Sequence, residues 1–293
     1  MRSIYTALVV VVGLLLTGTS FAATINVPGD YPTIQQAVDA ANDGDEIIVG
    51  PGTWTGDGSE VVMMSDKDIW LHSSDGPENT IIDGGDVRRG IASVLGAGPG
   101  TVIEGFTIQN CDDGPGNGAG GGILVGEGDS PIIRDCHVQD CTASIGGGGI
   151  AVVSGSSSFE NCTVSNCQGG SGGGIRVFAG NPVFENCTVS NCASDYGGGI
   201  CVDVNDDIPG SPSFVSCEIS NNTSKDGGGF YIEGALASAS LTTCIISDNT
   251  SDDEGGGVHV SYDSEVSISD CFISDNSSGV DSGGGIWNGL GGS

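Results

Sequence analysis

The sequence predicts an all-β solenoid: a right-handed parallel β-helix with three short strands per coil, about 25–30 residues per coil, and an N-terminal capping helix. Three observations predict it. A glycine run followed by one large apolar residue recurs at Ile123, Ile150, Ile175, Ile200, Phe230, Val258 and Ile286, with spacings of 27, 25, 25, 30, 28 and 28 residues. Two more apolar columns keep the same period, Ile103, Ile133, Phe159, Phe184, Phe214, Leu241 and Ile268, then Ile108, Val138, Val164, Val189, Ile219, Ile246 and Ile273. These two columns lie five residues apart. Inward residues of one strand are separated by even numbers, so a corner must fall between them.

The elements follow in chain order. Arg2, the apolar run Ile4 to Leu16 and the small-residue site Ser20-Phe21-Ala22 make residues 1–22 a signal peptide with cleavage before Ala23. The run is too short for a membrane span, and no other segment approaches that length, so no membrane insertion of the mature chain is expected. Residues 23–110 form the cap and the first coils. Thr24 to Val27 reads as a strand, and Thr33 to Ala41 as a helix with Ile34, Ala37, Val38 and Ala41 on one face. Thr33 and Gln36 suggest a capping box and Gly44 a stop. Such a helix would cover the exposed edge of the first coil. Glu46 to Val49 and Pro51 to Trp54 begin the solenoid.

Residues 111–293 carry the glycine-triplet repeats and break off after the last glycine strand, which points to a truncated C-terminus. The glycines supply one corner, since they take positive φ freely. Cysteines also fall in columns. Phe106, Cys136, Cys162, Cys187, Cys217, Cys244 and Cys271 stand two residues before the second apolar column and so face inward. They read as buried thiols acting as small hydrophobes. Cross-coil disulfides are within reach of the coil rise, but parallel side-chain vectors make their geometry poor. The column Cys111, Cys141, Cys167, Cys192, Asn222, Asn249 and Asn276 marks a bend where Asn amides can form a ladder.

The N-terminal segments Val27 to Gln35, Gly44 to Val49, Thr80 to Gly84 and Glu104 to Ile108 resemble the opening of exported right-handed β-helix repeat proteins of the pectin-lyase-like superfamily. The glycine-triplet repeats resemble those of the polymorphic outer-membrane proteins. This resemblance implies an exported, extracellular or cell-surface protein, outer-membrane association included. The superfamily holds lyases, hydrolases and adhesins alike, so the resemblance implies fold more firmly than activity.

With 38 acidic against 7 basic residues the formal charge is −31, which excludes nucleic acid as a partner. Catalytic relatives would use the outer face of one sheet. Here the outward residues after the glycines are Leu124, Ala151, Arg176, Cys201, Tyr231, His259 and Trp287, and they vary where the interior is monotonous. Arg176, Tyr231, His259 and Trp287 are the candidates for a shallow sugar-binding strip. Arg176 as base, with Asp203 and Glu233 as a carboxyl pair on adjacent coils, are the catalytic candidates for a lyase or glycosidase. Neither set matches the denser arrays of acids and bases those enzymes use. Asp195, Asp226, Glu254 and Asp281 line the glycine corners, and Asp226, Asp252, Asp253 and Glu254 are the metal candidates, with calcium as the ion. The expected function is binding or adhesion at the cell surface, with a polysaccharide or cell-surface component as partner. A polysaccharide-active enzyme is the alternative.

Overall fold

Alternating inward and outward residues, too short in each run to make a helix, leave every strand to find its hydrogen bonds one coil away. The computed structural model describes residues 22–64, 66–94, 96–114, 118–204, 208–261, 263–279 and 282–289. The expected leader as far as Phe21, and Asp281 of the acidic corners, lie outside them. Among the described residues, parallel strands form three long sheets of ten, nine and nine strands. Each coil contributes one strand to each sheet.

The register is the one the columns predict. In the first sheet Ile103 pairs with Ile133, Ile133 with Phe159, Phe159 with Phe184 and Phe184 with Phe214. In the second, Val138 pairs with Val164 and Val164 with Val189. In the third, Ile123 pairs with Ile150, and the series continues to Val258 and Ile286. The first sheet also extends back through Ile25, Ile47 and Leu71, so the N-terminal coils belong to the same solenoid. The helix spans Ile34–Ala40, with Thr33 Oγ1 accepting the Gln36 N–H at 3.2 Å. It buries Ile34, Ala37 and Val38 as expected. It ends at Ala41, which is already extended, ahead of the Gly44 stop the sequence suggests.

Three left-handed corners recur along the repeats. The first falls at Gly105, Asp135, Asn161, Asn186, Ser216, Thr243 and Asp270, and the second at Asn110, Asp140, Asn166, Asn191, Asn221, Asp248 and Asp275, all with positive φ. Asn and Asp dominate because their short polar side chains tolerate that region. The third corner explains the triplet. Its first glycine, such as Gly172 at φ +63°, needs the left-handed conformation. Its second and third need space: a Cβ on Gly173 would lie 2.4 Å from the Ala193 carbonyl oxygen, and one on Gly174 would lie 2.6 Å from Val189 Cγ1.

The inward columns fill the interior. Phe159, Phe184 and Phe214 stack face to face with centroids 4.6 and 5.0 Å apart, and Phe230 closes the series edge-on at 5.6 Å. Each such contact contributes about 0.5–1.5 kcal/mol beyond burial. The eleven cysteines are free thiols, ten of them buried and Cys271 half-buried. Column thiols such as those of Cys136 and Cys141 donate to carbonyl oxygens, of Arg134 at 3.2 Å and Gln139 at 3.1 Å. Burial pushes the Cys136 thiol up to about 12, which removes the thiolate and with it nucleophilic reactivity. Where asparagine takes over, Asn222 Nδ2 donates to Asn249 Oδ1 and Asn249 Nδ2 to Asn276 Oδ1, each at 3.0 Å.

Two tests follow from these corners and columns. Thr243 is a β-branched residue at φ +56° and is exposed at that corner. Thr243→Asn should raise unfolding stability by about 1 kcal/mol, read from a denaturant melt; an unchanged or lower midpoint would contradict the strain argument. Iodoacetamide added to the native protein should modify Cys271 ahead of every other thiol. Mass spectrometry should find all eleven alkylated only after denaturation.

Candidate functional site

Register decides which way a strand residue points, and in the third sheet it points Leu124, Ala151, Arg176, Cys201, Tyr231, His259 and Trp287 away from the triangular core. The open strip expected there is absent. Ala151, Arg176, Cys201, Tyr231 and His259 are all buried, Arg176 being the least so at 8% exposure, and Leu124 and Trp287 are half-buried. The cause is the chain just ahead of each glycine run. Its short strands pair between coils, Thr142–Gly146 with Gln168–Ser171, Thr223–Ser224 with Thr250–Ser251, and Thr250–Ser251 in turn with Ser277–Ser278. The residue preceding the first glycine then folds over the outward residue of the following coil. Gly146 lies against Arg176 so closely that a Cβ would sit 2.5 Å from Arg176 Cδ. The Tyr196 ring meets Tyr231 at 5.4 Å, and Asp226 faces His259 at 4.0 Å.

Under this roof the catalytic candidates are held by structural partners. Arg176 Nη2 donates to Asp203 Oδ2 at 2.7 Å and Nη1 to the Ile145 carbonyl at 3.1 Å, while its guanidinium sits 4.0 Å from the Phe178 ring centroid. Tyr231 Oη donates to Glu233 Oε2 at 2.7 Å. Burial, and then the Glu233 carboxylate, raise the Tyr231 phenol well above its ordinary value. Asp203 and Glu233 are register neighbours and half-exposed. Each already has a partner.

The metal candidates separate into two groups. Asp252 and Asp253 are exposed and stand outside the cluster that forms. Asp226 and Glu254 occupy the pre-glycine position of successive coils, and His259 joins them, with one ligand atom of each within 4.8 Å of the others. The Glu254 N–H donates to Asp226 Oδ1 at 3.2 Å. Lys225, the neighbouring cation, turns to Asp195 at 2.7 Å. Partial burial, then Asp226 and Asp253, raise the Glu254 carboxyl. Burial lowers the His259 imidazole, opposed by Asp226 and the Glu254 backbone. The ring is wedged between Tyr231 at 4.8 Å and Trp287 at 4.3 Å. The sequence assigns His259 to the sugar strip and the two acids to the calcium edge, whereas the fold makes one site of them.

One concave feature was not anticipated. A cleft of about 340 Å3 lies between the helix and the segment Trp54 to Met63, lined by Gln36, Trp54, Asp57 and Glu60 among others. Gln35 fixes its wall by accepting the Met63 N–H at 2.7 Å and donating to the Met63 carbonyl at 3.2 Å. Arg89 Nη1 holds Glu60 at 2.9 Å. The only sequence signal was an aromatic residue beside the turn Gly56-Asp57-Gly58, in a segment that does not repeat.

Stacked three-strand coils, in-register columns and glycine corners define a parallel β-solenoid. The chain matches the right-handed beta helix region over residues 47–235 and again over 173–287, and it belongs to that family. No curated protein was found to match it. Among the described residues no helix is long and apolar enough to cross a membrane.

Proposed function

We propose that the chain is an exported β-helix that acts outside the cell or at its surface as a binding or adhesion protein, with a polysaccharide or other cell-surface component as its partner. The observation that carries this reading is the roof over the third sheet. Arg176, the base that a lyase would turn toward substrate, is committed instead to Asp203 and the Ile145 carbonyl beneath the covering segment, and Glu233 accepts from the buried Tyr231. What remains accessible is the outer surface of a long and strongly acidic solenoid. An acidic rod repels polyanions, so the chemistry favours a neutral glycan or one bridged by cations. The carbohydrate reading moves accordingly from the covered strip to the cleft, where Trp54 offers an aromatic wall beside Asp57 and Glu60.

Export has support of its own. The Ala23 N–H donates to Asp45 Oδ1 at 2.7 Å, and Asp45 is only 2% exposed. Cleavage before Ala23 would turn that N–H into an ammonium group facing a carboxylate, an ion pair created by processing.

Affinity electrophoresis of the secreted chain in neutral and uronic-acid polysaccharides should show retention without release of reducing ends or unsaturated products. Trp54→Ala should weaken retention about tenfold. Product that forms with the parent chain and vanishes in an Arg176→Ala, Glu233→Ala double variant would establish the enzyme instead.

A second test addresses Asp45. The Ala23 N–H first, and then the Asn42 N–H, hold its carboxyl below the ordinary value of 3.8. A folded value lowered in this way stabilises the protein above the ordinary value and loses that effect as pH falls through and below it. N-terminal sequencing of the secreted protein should begin at Ala23. Asp45→Asn should lower its melting temperature at neutral pH, with the difference shrinking in acid. An equal loss at every pH would place the effect outside this carboxylate.

A further inference from the structure

We propose that Asp226, Glu254 and His259 form a binding site for a first-row divalent transition-metal ion, with Zn2+ as the probe. Two independent observations meet there. The first is the convergence of two carboxylates and an imidazole, whose ligand atoms lie within 4.8 Å of one another. Bonds of about 2.0–2.2 Å from zinc to nitrogen and oxygen would bring them together with small side-chain rotations. The second is His259 itself. It is 4% exposed, and its Nδ1 has no hydrogen-bond partner although it points toward the acids. Asp226 Oδ1 is 4.0 Å from that nitrogen, too far for a hydrogen bond, and already accepts the Glu254 N–H. A buried polar atom left without a partner is rare in a native protein and calls for an explanation.

The donor set chooses the ion. Calcium and magnesium take oxygen ligands, whereas an imidazole with carboxylates suits zinc and its neighbours. The ring cannot swing away to solvent, because Tyr231 and Trp287 hold it on both faces. The cation nearest in sequence to the acids is turned aside, since Lys225 pairs with Asp195. Three protein ligands leave a fourth position for water, as in sites that are not closed structural centres. The two acids occupy equivalent positions on successive coils, where like charges repel unless a cation lies between them. The inference does not rest on the binding role proposed above.

The test uses the untagged chain after chelator treatment, titrated calorimetrically with Zn2+. One ion should bind per chain, and His259→Gln and Asp226→Asn should each weaken it at least tenfold. A remote control, Glu265→Gln, should leave the affinity unchanged. Of the three histidines in the chain, His72 is engaged by Glu46 at 3.0 Å and His137 stands in the second sheet, away from the acids, so the loss in H259Q is assignable. Trp287 touches the imidazole, so its emission should change on Zn2+ addition, and Trp287→Phe should abolish that change while binding persists. Circular dichroism establishes that each variant is folded. Should H259Q unfold, Glu254→Gln, at a half-exposed position, gives the same reading. Equal zinc affinity in the parent and the ligand variants would overturn the proposal. So would displacement of Zn2+ by equimolar Ca2+.

Discussion

Parallel stacking at one strand spacing, about 4.8 Å per coil, places every residue directly beneath its equivalent in the next coil. The other features of the molecule follow from that constraint. A position that accepts a residue must accept a column of them, so only side chains that tolerate their own kind can repeat. Phenylalanines do so by stacking at 4.6 and 5.0 Å, and asparagines by passing one amide hydrogen bond to the next at 3.0 Å. Thiols do so because each donates to a carbonyl within the wall rather than requiring its neighbour. The exchange of cysteine for asparagine between Cys192 and Asn222 costs no hydrogen bond, since Asn222 Oδ1 accepts the Cys192 N–H at 2.9 Å.

Charges obey the same constraint less comfortably. On the outer face of the first sheet Arg134 is placed in register between Glu104 and Glu160, and its guanidinium bonds to Glu104 at 2.8 Å. With 7 basic residues in the whole chain, few acidic columns can be interrupted in this way. Acids such as Asp135, Asp140, Asp248 and Asp270 therefore sit at exposed corners, where water and salt screen them. In the pre-glycine column the equivalents of Asp226 in the three preceding coils are Gly146, Ser171 and Tyr196, which carry no charge. Asp226 and Glu254 are thus a local exception to a column that is otherwise neutral.

Columns and corners were legible in the sequence because both are properties of position. Parity alone places the corner between Phe159 and Val164, and the repeated Asn161 and Asn186 occupy it with positive φ. What overlies a strand is a different kind of fact. Arg176, Tyr231 and His259 point outward as alternation requires, yet they are buried, because Gly146, Tyr196 and Asp226 reach them from the preceding coil. That contact joins residues 30 or more positions apart through segments of unequal length, which periodicity does not encode. The Trp54 cleft is not legible in the periodicity for the related reason that its walls come from segments that do not repeat.

A solenoid of this kind leaves little freedom for chemistry. Its interior is fixed by stacking, its corners by φ and its glycine runs by the close approach of neighbouring backbones. A site must therefore form where two columns depart from their pattern at the same height. At Asp226 and Glu254 the pre-glycine column turns acidic. In the same two coils the strand column presents Tyr231 and His259 in place of the alanine, arginine and cysteine of earlier coils. The roof that hides Arg176 beneath a glycine thus becomes, farther along the same column, a pair of carboxylates facing a buried imidazole. The covering contact is the same in both places, and only the residues that make it have changed.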